Sequence, residues 1–373
     1  IVAVSGRTLA TLTVDADMKV RELQQLLATE TGVPVPVQRL VYRGAVLEAE
    51  SSLAEAHVGD GAQLTLVRQS KENQVLTAST DGTARIWRMN TGECVRAIHG
   101  HDGDLCSIAF SPDGVCLLTA SKDCTAKLWS ADTGECMHVL LGHDSYVWSA
   151  SFSADSLSVI TASEDFTAKI WSRMTGECWR TLFGIGDLML TTWGDPATPI
   201  AGHCGPVYSA VFSTCGSLAL TASSDGSAKI WSVASGDNVL TLEGDGAPEA
   251  ESPREGTIYP VFSATFAQDG ATVLTACGDG AVKIWNATTG RCLLILEGHA
   301  GPVYTAVFSE DGAMVVSASQ DGSVKLWKVQ AGECDAGECV MTLRGHHLPV
   351  RAAIFAPDGL SVLSGSADCT ARL

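Results

Sequence analysis

The strongest constraint on this chain is a motif it repeats. A polar turn runs into a short apolar strand as Asp-x-(Thr/Ser/Ala)-(Ala/Val)-(Lys/Arg)-(Ile/Leu)-Trp, at Asp81–Trp87, Asp123–Trp129, Asp165–Trp171, Asp225–Trp231, Asp279–Trp285 and Asp321–Trp327. A seventh copy starts at Asp368, and the sequence stops at Leu373, one residue before its Trp would stand. The Trp-to-Trp spacings are 42, 42, 60, 54 and 42. A period in this range, built from strand-sized runs between turns, is the mark of a β-propeller, because one four-stranded blade cannot bury both faces and must stack on the next. Such a ring is a rigid platform, so function is sought in what its faces carry.

A wider grid surrounds each turn. A Gly-His pair lies 20 residues before a Ser, the Ser two before the Asp, and the Asp six before the Trp. The grid is complete at His101/Ser121/Asp123/Trp129, His143/Ser163/Asp165/Trp171, His203/Ser223/Asp225/Trp231 and His299/Ser319/Asp321/Trp327, and runs to the end of the chain at His346/Ser366/Asp368. These residues resemble the WD-repeat family over 75–373. The resemblance implies that the four side chains form a hydrogen-bonded chain within each blade, in keeping with the need of buried polar groups for partners. Five histidines at the same place in the grid thereby become structural groups rather than metal ligands or bases. The Asp that follows the Trp in the family is replaced here by Arg88, Ser130, Ser172, Ser232, Asn286 and Lys328. That position is solvent-side in the family. Unit five departs twice, with Thr257 for His and Cys277 for Ser, and is expected to be the loosest blade, short of about two hydrogen bonds at roughly 1 kcal/mol each.

Within a unit the strands follow in order. An inner strand such as Val207 to Phe212 leads through a turn to Leu-Thr-Ala-Ser, then to the grid turn and the Trp strand, and a Thr-Gly-Glu-Cys turn (91–94, 133–136, 175–178) leads to the outermost strand.

Residues 1–69 do not repeat. Ile1 to Val4 and Leu9 to Val14 alternate as a hairpin, Val20 to Glu30 has the 3.6-residue period of a helix, and Gln38 to Tyr42 and Leu64 to Val67 read as strands. With Gly32-Val33-Pro34 after the helix and the Gly44 turn, this order resembles a ubiquitin-like β-grasp domain. No Gly-Gly follows Arg68, so conjugation is not implied. Of the apolar patch by which ubiquitin is read, Val41 and Val67 match, while the first turn is shortened to Ser5-Gly6-Arg7 and its Leu is absent. A docking role in the ubiquitin pathway and a plain folding or docking module both remain open. The fold expected is therefore mainly β: a seven-unit WD-type propeller (70–373) behind a small α+β ubiquitin-like domain (1–69).

One strand is claimed twice. Aligned without gaps on unit two, Leu64 to Val67 falls where the inner strand of unit one belongs, yet it is also the last strand of the β-grasp. The small core of the β-grasp needs that strand centrally, so it is assigned there. Unit one then lacks its inner strand and unit seven its outer one; with no initiating Met, the chain reads as a fragment.

Composition narrows the function. No apolar run approaches the ~18 residues of a membrane span, and no signal peptide opens the sequence. Among the 13 Cys, Cys94, Cys136, Cys178 and Cys292 occupy one repeat-equivalent position in different blades, too far apart to bridge, which suits a reducing, intracellular compartment, cytoplasmic or nuclear. Cys334 and Cys339 belong to a duplicated Ala-Gly-Glu-Cys loop. Six basic and eight acidic residues fall in 1–69, leaving 18 basic against 34 acidic in the propeller. Binding to nucleic-acid backbones or anionic lipid is disfavoured, and a basic partner favoured. No phosphate loop, nucleophile elbow, His-Glu-x-x-His or paired carboxylate stands outside the grid, so no enzyme activity, cofactor or metal is expected.

The informative positions are those where the repeats differ. The residue after the first Val of each inner strand lies, in the family, at the mouth of the central channel. Here it is Cys106, Trp148, Tyr208, Phe262, Tyr304 and Arg351, with Tyr146 beside Trp148. Aromatics and Arg are the residue types of binding hot spots; packing between blades is the competing role. Two insertions, 184–200 with Leu188, Met189, Leu190 and Trp193, and 245–255 with Asp245, Glu249, Glu251 and Glu255 against Arg254, are expected on the same face. The expected function is a non-enzymatic scaffold binding a peptide of a partner protein on this face. The alternative is a ubiquitin-pathway adaptor whose β-grasp docks on ubiquitin receptors. The family's ligase-docking box, Trp-Asp-x-Arg, is absent, Trp171-Ser172-Arg173 having its Arg one place early.

Overall fold

The computed structural model describes residues 2–3, 14–15, 17–31, 38–42, 45–48, 51–58, 64–68, 74–88, 91–183, 202–243, 258–329, 337–356 and 359–373. It divides into two compact units, one holding residues 1–77, 85–97 and 113–115, the other 78–84, 98–112 and 116–373.

The N-terminal elements are β1 (Val2–Ala3), α1 (Val20–Thr31), β2 (Gln38–Tyr42), β3 (Ala45–Val46) and β4 (Thr65–Arg68), forming one sheet in the order β1-β4-β2-β3. The β4 strand is central as the sequence required, parallel to β1 (Val2↔Thr65) and antiparallel to β2 (Leu40↔Leu66). Helix α1 places Val20, Leu23 and Leu27 on one face, where they meet Leu40, Leu53 and Leu64, all at most 4% exposed. Residues 4–13, with most of the expected first hairpin, and Thr257 and Cys334 lie outside the described residues.

The remainder is a seven-bladed β-propeller. The first blade comprises β5 (Gln74–Ala78), β6 (Ala84–Arg88) and β7 (Glu93–Ile98). Blade two has four antiparallel strands, β8 (Leu105–Phe110), β9 (Cys116–Ser121), β10 (Ala126–Ser130) and β11 (Cys136–Leu140), in simple meander order, and blades three to six repeat this plan. Blade seven has three described strands, beginning at Val350, Val362 and Ala371. The second strand of blades two to six is buried along nearly its whole length, since it is covered on both faces by neighbouring blades. Four of the Trp close interblade cores: Trp171 packs with Leu118 and Leu128 of blade two, Trp231 with Ile160 and Ile170 of blade three, Trp285 with Leu220 and Ile230 of blade four, and Trp327 with Leu274 and Ile284 of blade five. Burying an indole removes on the order of 200 Å² from water, about 5 kcal/mol per blade before entropy.

The grid is hydrogen-bonded, with one member the spacing did not reveal. In blade two the Trp129 Nε1–H donates to Thr119 Oγ1 at 2.8 Å, and the same hydroxyl lies 2.7 Å from His101 Nε2. His101 Nδ1 is 2.7 Å from the Asp123 carboxylate. A carboxylate only accepts, so Nδ1 carries the proton and Nε2 accepts from the threonine, giving one direction to the whole chain: indole to hydroxyl to imidazole to carboxylate. Thr161, Thr221 and Ser317 take the bridging place in blades three, four and six.

The grid serines therefore need correcting. The resemblance made Ser121, Ser163, Ser223 and Ser319 members of one hydrogen-bonded chain with the His, Asp and Trp side chains, but their hydrogen bonds go to the backbone. Each accepts instead from the N–H of its own grid Asp, Ser121 and Ser163 at 3.1 Å and Ser223 and Ser319 at 3.2 Å. Each also donates to a carbonyl of the loop that follows the histidine: Ser121 to Gly103 at 3.1 Å, Ser163 to Ser145 at 3.2 Å, Ser223 to Gly205 at 3.1 Å and Ser319 to Gly301 at 3.0 Å. Ser366 does the same between Asp368 and Leu348. The physical reason is position along the strand. The bridging hydroxyl stands two residues before the serine and so shares its face of the strand, but lies deeper in the blade, level with the indole; the serine sits at the strand end, where only the turn is within reach. The serines pin the turn that aims the carboxylate, and the threonines carry the chain.

Blade five keeps Trp285 on Thr275 at 2.9 Å, while Asp279, whose histidine is replaced, reaches Lys283 at 3.4 Å. The Asp279–Lys283 pair is a contact the sequence reading did not foresee.

The residues standing after each Trp also have work. Ser130, Ser172 and Ser232 accept from the N–H three residues on, and Asn286 from those of Thr288 and Thr289, each capping the turn to the outer strand.

Candidate partner-binding face

The residues expected at the channel mouth share a bulge. In blades two to seven the pairing of first and second strand skips one residue, between Leu105/Ser107, Val147/Ser149, Val207/Ser209, Val261/Ser263, Val303/Thr305 and Val350/Ala352. The skipped residues are Cys106, Trp148, Tyr208, Phe262, Tyr304 and Arg351. A bulged residue is unpaired in the ladder and its side chain is re-aimed, and six successive blades carry it at the same position.

The structure joins five of them into a continuous arc. Ring centroids are 6.0 Å apart for Trp148–Tyr208, 5.5 Å for Tyr208–Phe262 and 5.2 Å for Phe262–Tyr304, mostly edge to face. Tyr146 extends the arc with its ring 6.1 Å from Trp148 and is 44% exposed. The four central rings are partly exposed, whereas the Val before each is buried. They therefore pack on one another and still present a surface. Arg351 lies over Tyr304, its Cζ 4.5 Å from the ring centroid, and is exposed.

At the other end Lys122 Nζ stands 5.9 Å over Trp148 and donates to Asp104 at 2.7 Å. The arc thus begins and ends on a cation–π contact. Cys106 stands outside it; burial raises its thiol to about 11, so it is protonated and unreactive at neutral pH.

Two residues of this face were missed by the sequence reading. Lys122 and Glu164 occupy the variable place between the grid Ser and Asp, and the Glu164 carboxylate accepts from the Trp148 indole N–H, fixing that ring. Phe166 follows the grid Asp165, where blades one, four, five and six have glycine; it holds a left-handed backbone with φ of 71° and is 47% exposed. The equivalent Cys124 and Cys369 hold the same left-handed backbone, with φ of 70° and 64°, so the turn requires it and Phe166 bears it without the freedom of glycine. Only a blade-by-blade comparison of the position after the grid Asp could have flagged it.

The buried grid carries no free chemistry. Burial lowers the His203 imidazole below its ordinary value, outweighing Asp225, and holds it neutral. Burial alone would raise the Asp225 carboxyl, but bonds from His203, Ser227 and the Cys204 N–H hold it well below the usual carboxylate range. Among the described residues no group of His, Cys, Asp or Glu is arranged to hold a metal ion, and no helix is long and apolar enough to cross a membrane. Both insertions, 184–200 and 245–255, fall outside the described residues.

Comparison with known proteins agrees with the geometry. The family model "WD domain, G-beta repeat" matches residues 92–130, 134–172, 194–232, 255–286, 290–328 and 337–373, more than half of the chain. The chain belongs to the WD-repeat family. Residues 2–71 match the Ubiquitin family. Among similar proteins, guanine nucleotide-binding protein subunit beta-1 of Caenorhabditis briggsae is 32% identical over 73 residues, 20% of this chain and 22% of that protein. THO complex subunit 6 of Arabidopsis thaliana is 53% identical over 38 residues, 10% of each. Protein tipD of Dictyostelium discoideum is 28% identical over 100 residues, 27% of this chain and 14% of that protein. WD-repeat propellers generally bind other proteins and are typically non-enzymatic, and this WD-repeat chain with its ubiquitin-like segment fits a protein-interaction scaffold.

Proposed function

We propose that the chain is a non-enzymatic, intracellular scaffold that holds an extended segment of a partner protein along the arc from Tyr146 to Arg351. The observation that carries this reading is the unbroken, partly exposed run of Trp148, Tyr208, Phe262 and Tyr304, each at the bulge of its blade's first strand. Aromatic faces and the excess of acidic residues in 70–373 suit a partner bearing Lys or Arg, whose stem lies on the rings. Arg351 already occupies the Tyr304 face in this way and Lys122 stands over Trp148, leaving Tyr208 and Phe262 for the partner's own cations.

A second reading is favoured by the Ubiquitin-family match: residues 1–69 act as a docking module toward ubiquitin receptors while 70–373 hold the partner. Val41 and Val67 lie on the paired strands β2 and β4, where Val41 is opposite Thr65 and Val67 opposite Arg39. Affinity capture with the intact chain separates the two. Loss of a captured protein with Phe262→Ala supports the arc, and loss of ubiquitin receptors alone with Val41→Ala plus Val67→Ala supports the docking module. Capture unaffected by either set of changes places the interaction elsewhere.

A further inference from the structure

The first blade has an open edge. Among the described residues it has three strands, and none lies on the free side of β5, where the other blades carry their inner strand. Every residue of β5 is partly exposed, while its counterparts in blades two to six are buried along at least five of their six residues. Such an edge offers a row of backbone donors and acceptors to an incoming strand.

The chain holds a fitting strand at the fitting distance. Five residues separate Arg68, the end of β4, from Gln74, the start of β5. Five also separate first and second strands in blade two (Phe110 to Cys116), blade three (Phe152 to Ser158) and blade four (Phe212 to Leu218). Blade three pairs Ser149↔Ala162, Ala150↔Thr161, Ser151↔Ile160 and Phe152↔Val159. Transferred to blade one, that register sets Thr65 opposite Ala78, Leu66 opposite Thr77, Val67 opposite Leu76 and Arg68 opposite Val75. Thr65 then takes the place held by Ser107, Ser149, Ser209, Ser263 and Thr305, and Leu66 that of Ile108. Without the bulge, Leu64 comes opposite Ser79, where the other blades bury Val or Leu. Arg68 departs, standing where they have Phe.

We propose that the edge of β5 is a strand-binding site whose occupant is this chain's own segment Leu64–Arg68, so that one strand serves two sheets in turn. In the structure it serves the β-grasp, where Leu64 is 4% exposed in the core. Transfer would complete blade one and dismantle the β-grasp, so the two folds exclude each other. A protein gripping β2 and β4 would thereby hold blade one open, and its release would allow the blade to close.

Hydrogen exchange on the full chain tests this. Leu40 is fully buried and opposite Leu66, so Leu40→Asp undoes the β-grasp core and frees β4. The expected result is loss of protection over 20–31, retained protection over 64–68, and exchange slowed about tenfold at those amides of 75–79 that point away from β6, each gaining one backbone hydrogen bond. Blades three to six, unchanged, serve as the folding control. Loss of protection over 64–68 together with 20–31, with 75–79 unchanged, overturns the proposal; so does protection of 75–79 found only in a dimer, which would mean a strand supplied by a second copy. Independently, Leu66→Cys with Thr77→Cys, opposite each other in the transferred register, should crosslink under mild oxidation where Leu66→Cys with Val75→Cys does not. Equal crosslinking of both pairs would also contradict it.

Discussion

Replacing Thr221 with Val keeps the shape of a fully buried side chain and removes only its hydroxyl. That hydroxyl is 2.8 Å from Trp231 Nε1 and 2.7 Å from His203 Nε2, so the change strands two buried polar groups at once. Each buried orphan costs about 1–3 kcal/mol, so a loss of roughly 3 kcal/mol is expected. The matched change in blade five, Thr275→Val, strands chiefly the Trp285 indole, since among the described residues no imidazole is bonded to Thr275, and should cost about half as much. Urea titration followed by Trp fluorescence gives the comparison, with the slope checked first, because a change in slope would mean a change in cooperativity rather than stability. Combining Thr221→Val with His203→Phe should cost much less than the sum of the two. Equal losses for Thr221→Val and Thr275→Val, or simple additivity in the double variant, would refute the directed chain from indole to carboxylate.

The other outcomes rest on the same geometry. Acidification should destabilise the propeller in two stages. Burial depresses His101, His203 and His299 below 6.5, so the stability their neutral forms contribute is present above that value and is lost as pH falls below it. Hydrogen bonds, outweighing burial, hold Asp165, Asp225 and Asp321 below 3.8, so a second loss follows at lower pH. Thermal melts across the acid range that are flat down to the carboxylate region would contradict the first stage. Cys215, whose thiol is pulled down to about 7 by hydrogen bonds from Ser213 and Ser217, should be alkylated ahead of Cys106 and Cys277, both raised to about 11. Peptide mapping after brief iodoacetamide treatment reads this order. Asp279→Ala in blade five should prove less mild than the absence of a histidine suggests, because Asp279 has Lys283 as its partner; a denaturant midpoint unchanged from the parent chain would show that the pair contributes nothing.

The residues show why some of this was legible in sequence and some was not. The His–Asp–Trp spacing is fixed by strand lengths and tight turns, so it survives as bare arithmetic and announces both fold and blade count. The same arithmetic misplaced the serines: Ser121, Ser163, Ser223 and Ser319 keep their spacing because they hold the turn, and a constant interval does not say which side chain a hydroxyl meets. Thr119 and its counterparts sit in Leu-Thr-Ala-Ser, a run that reads as plain strand; nothing local distinguishes a threonine that bridges two other side chains from one that simply favours a strand. Repeat equivalence was enough to single out Trp148, Tyr208, Phe262, Tyr304 and Arg351, but not the contacts between them, which depend on a bulge visible only once the strands are paired. Lys122 and Glu164 lay hidden in a position that varies freely along the chain. The double claim on Leu64–Arg68 was visible as a conflict, and pairing with β1 and β2 places the strand in the β-grasp in this structure.

The measurement closest to the central claim is photocrosslinking from the arc itself. With benzoylphenylalanine in place of Phe262 in the intact chain, irradiation should attach the captured partner covalently, and Tyr208→Ala in the same chain should weaken capture by about 2 kcal/mol or more. The same group placed at Val239, an exposed position on the outer strand of blade four, should attach little. Strong attachment from position 239 with none from 262, or unchanged capture by a folded Tyr208→Ala chain, would contradict the assignment of the arc as the partner-binding face.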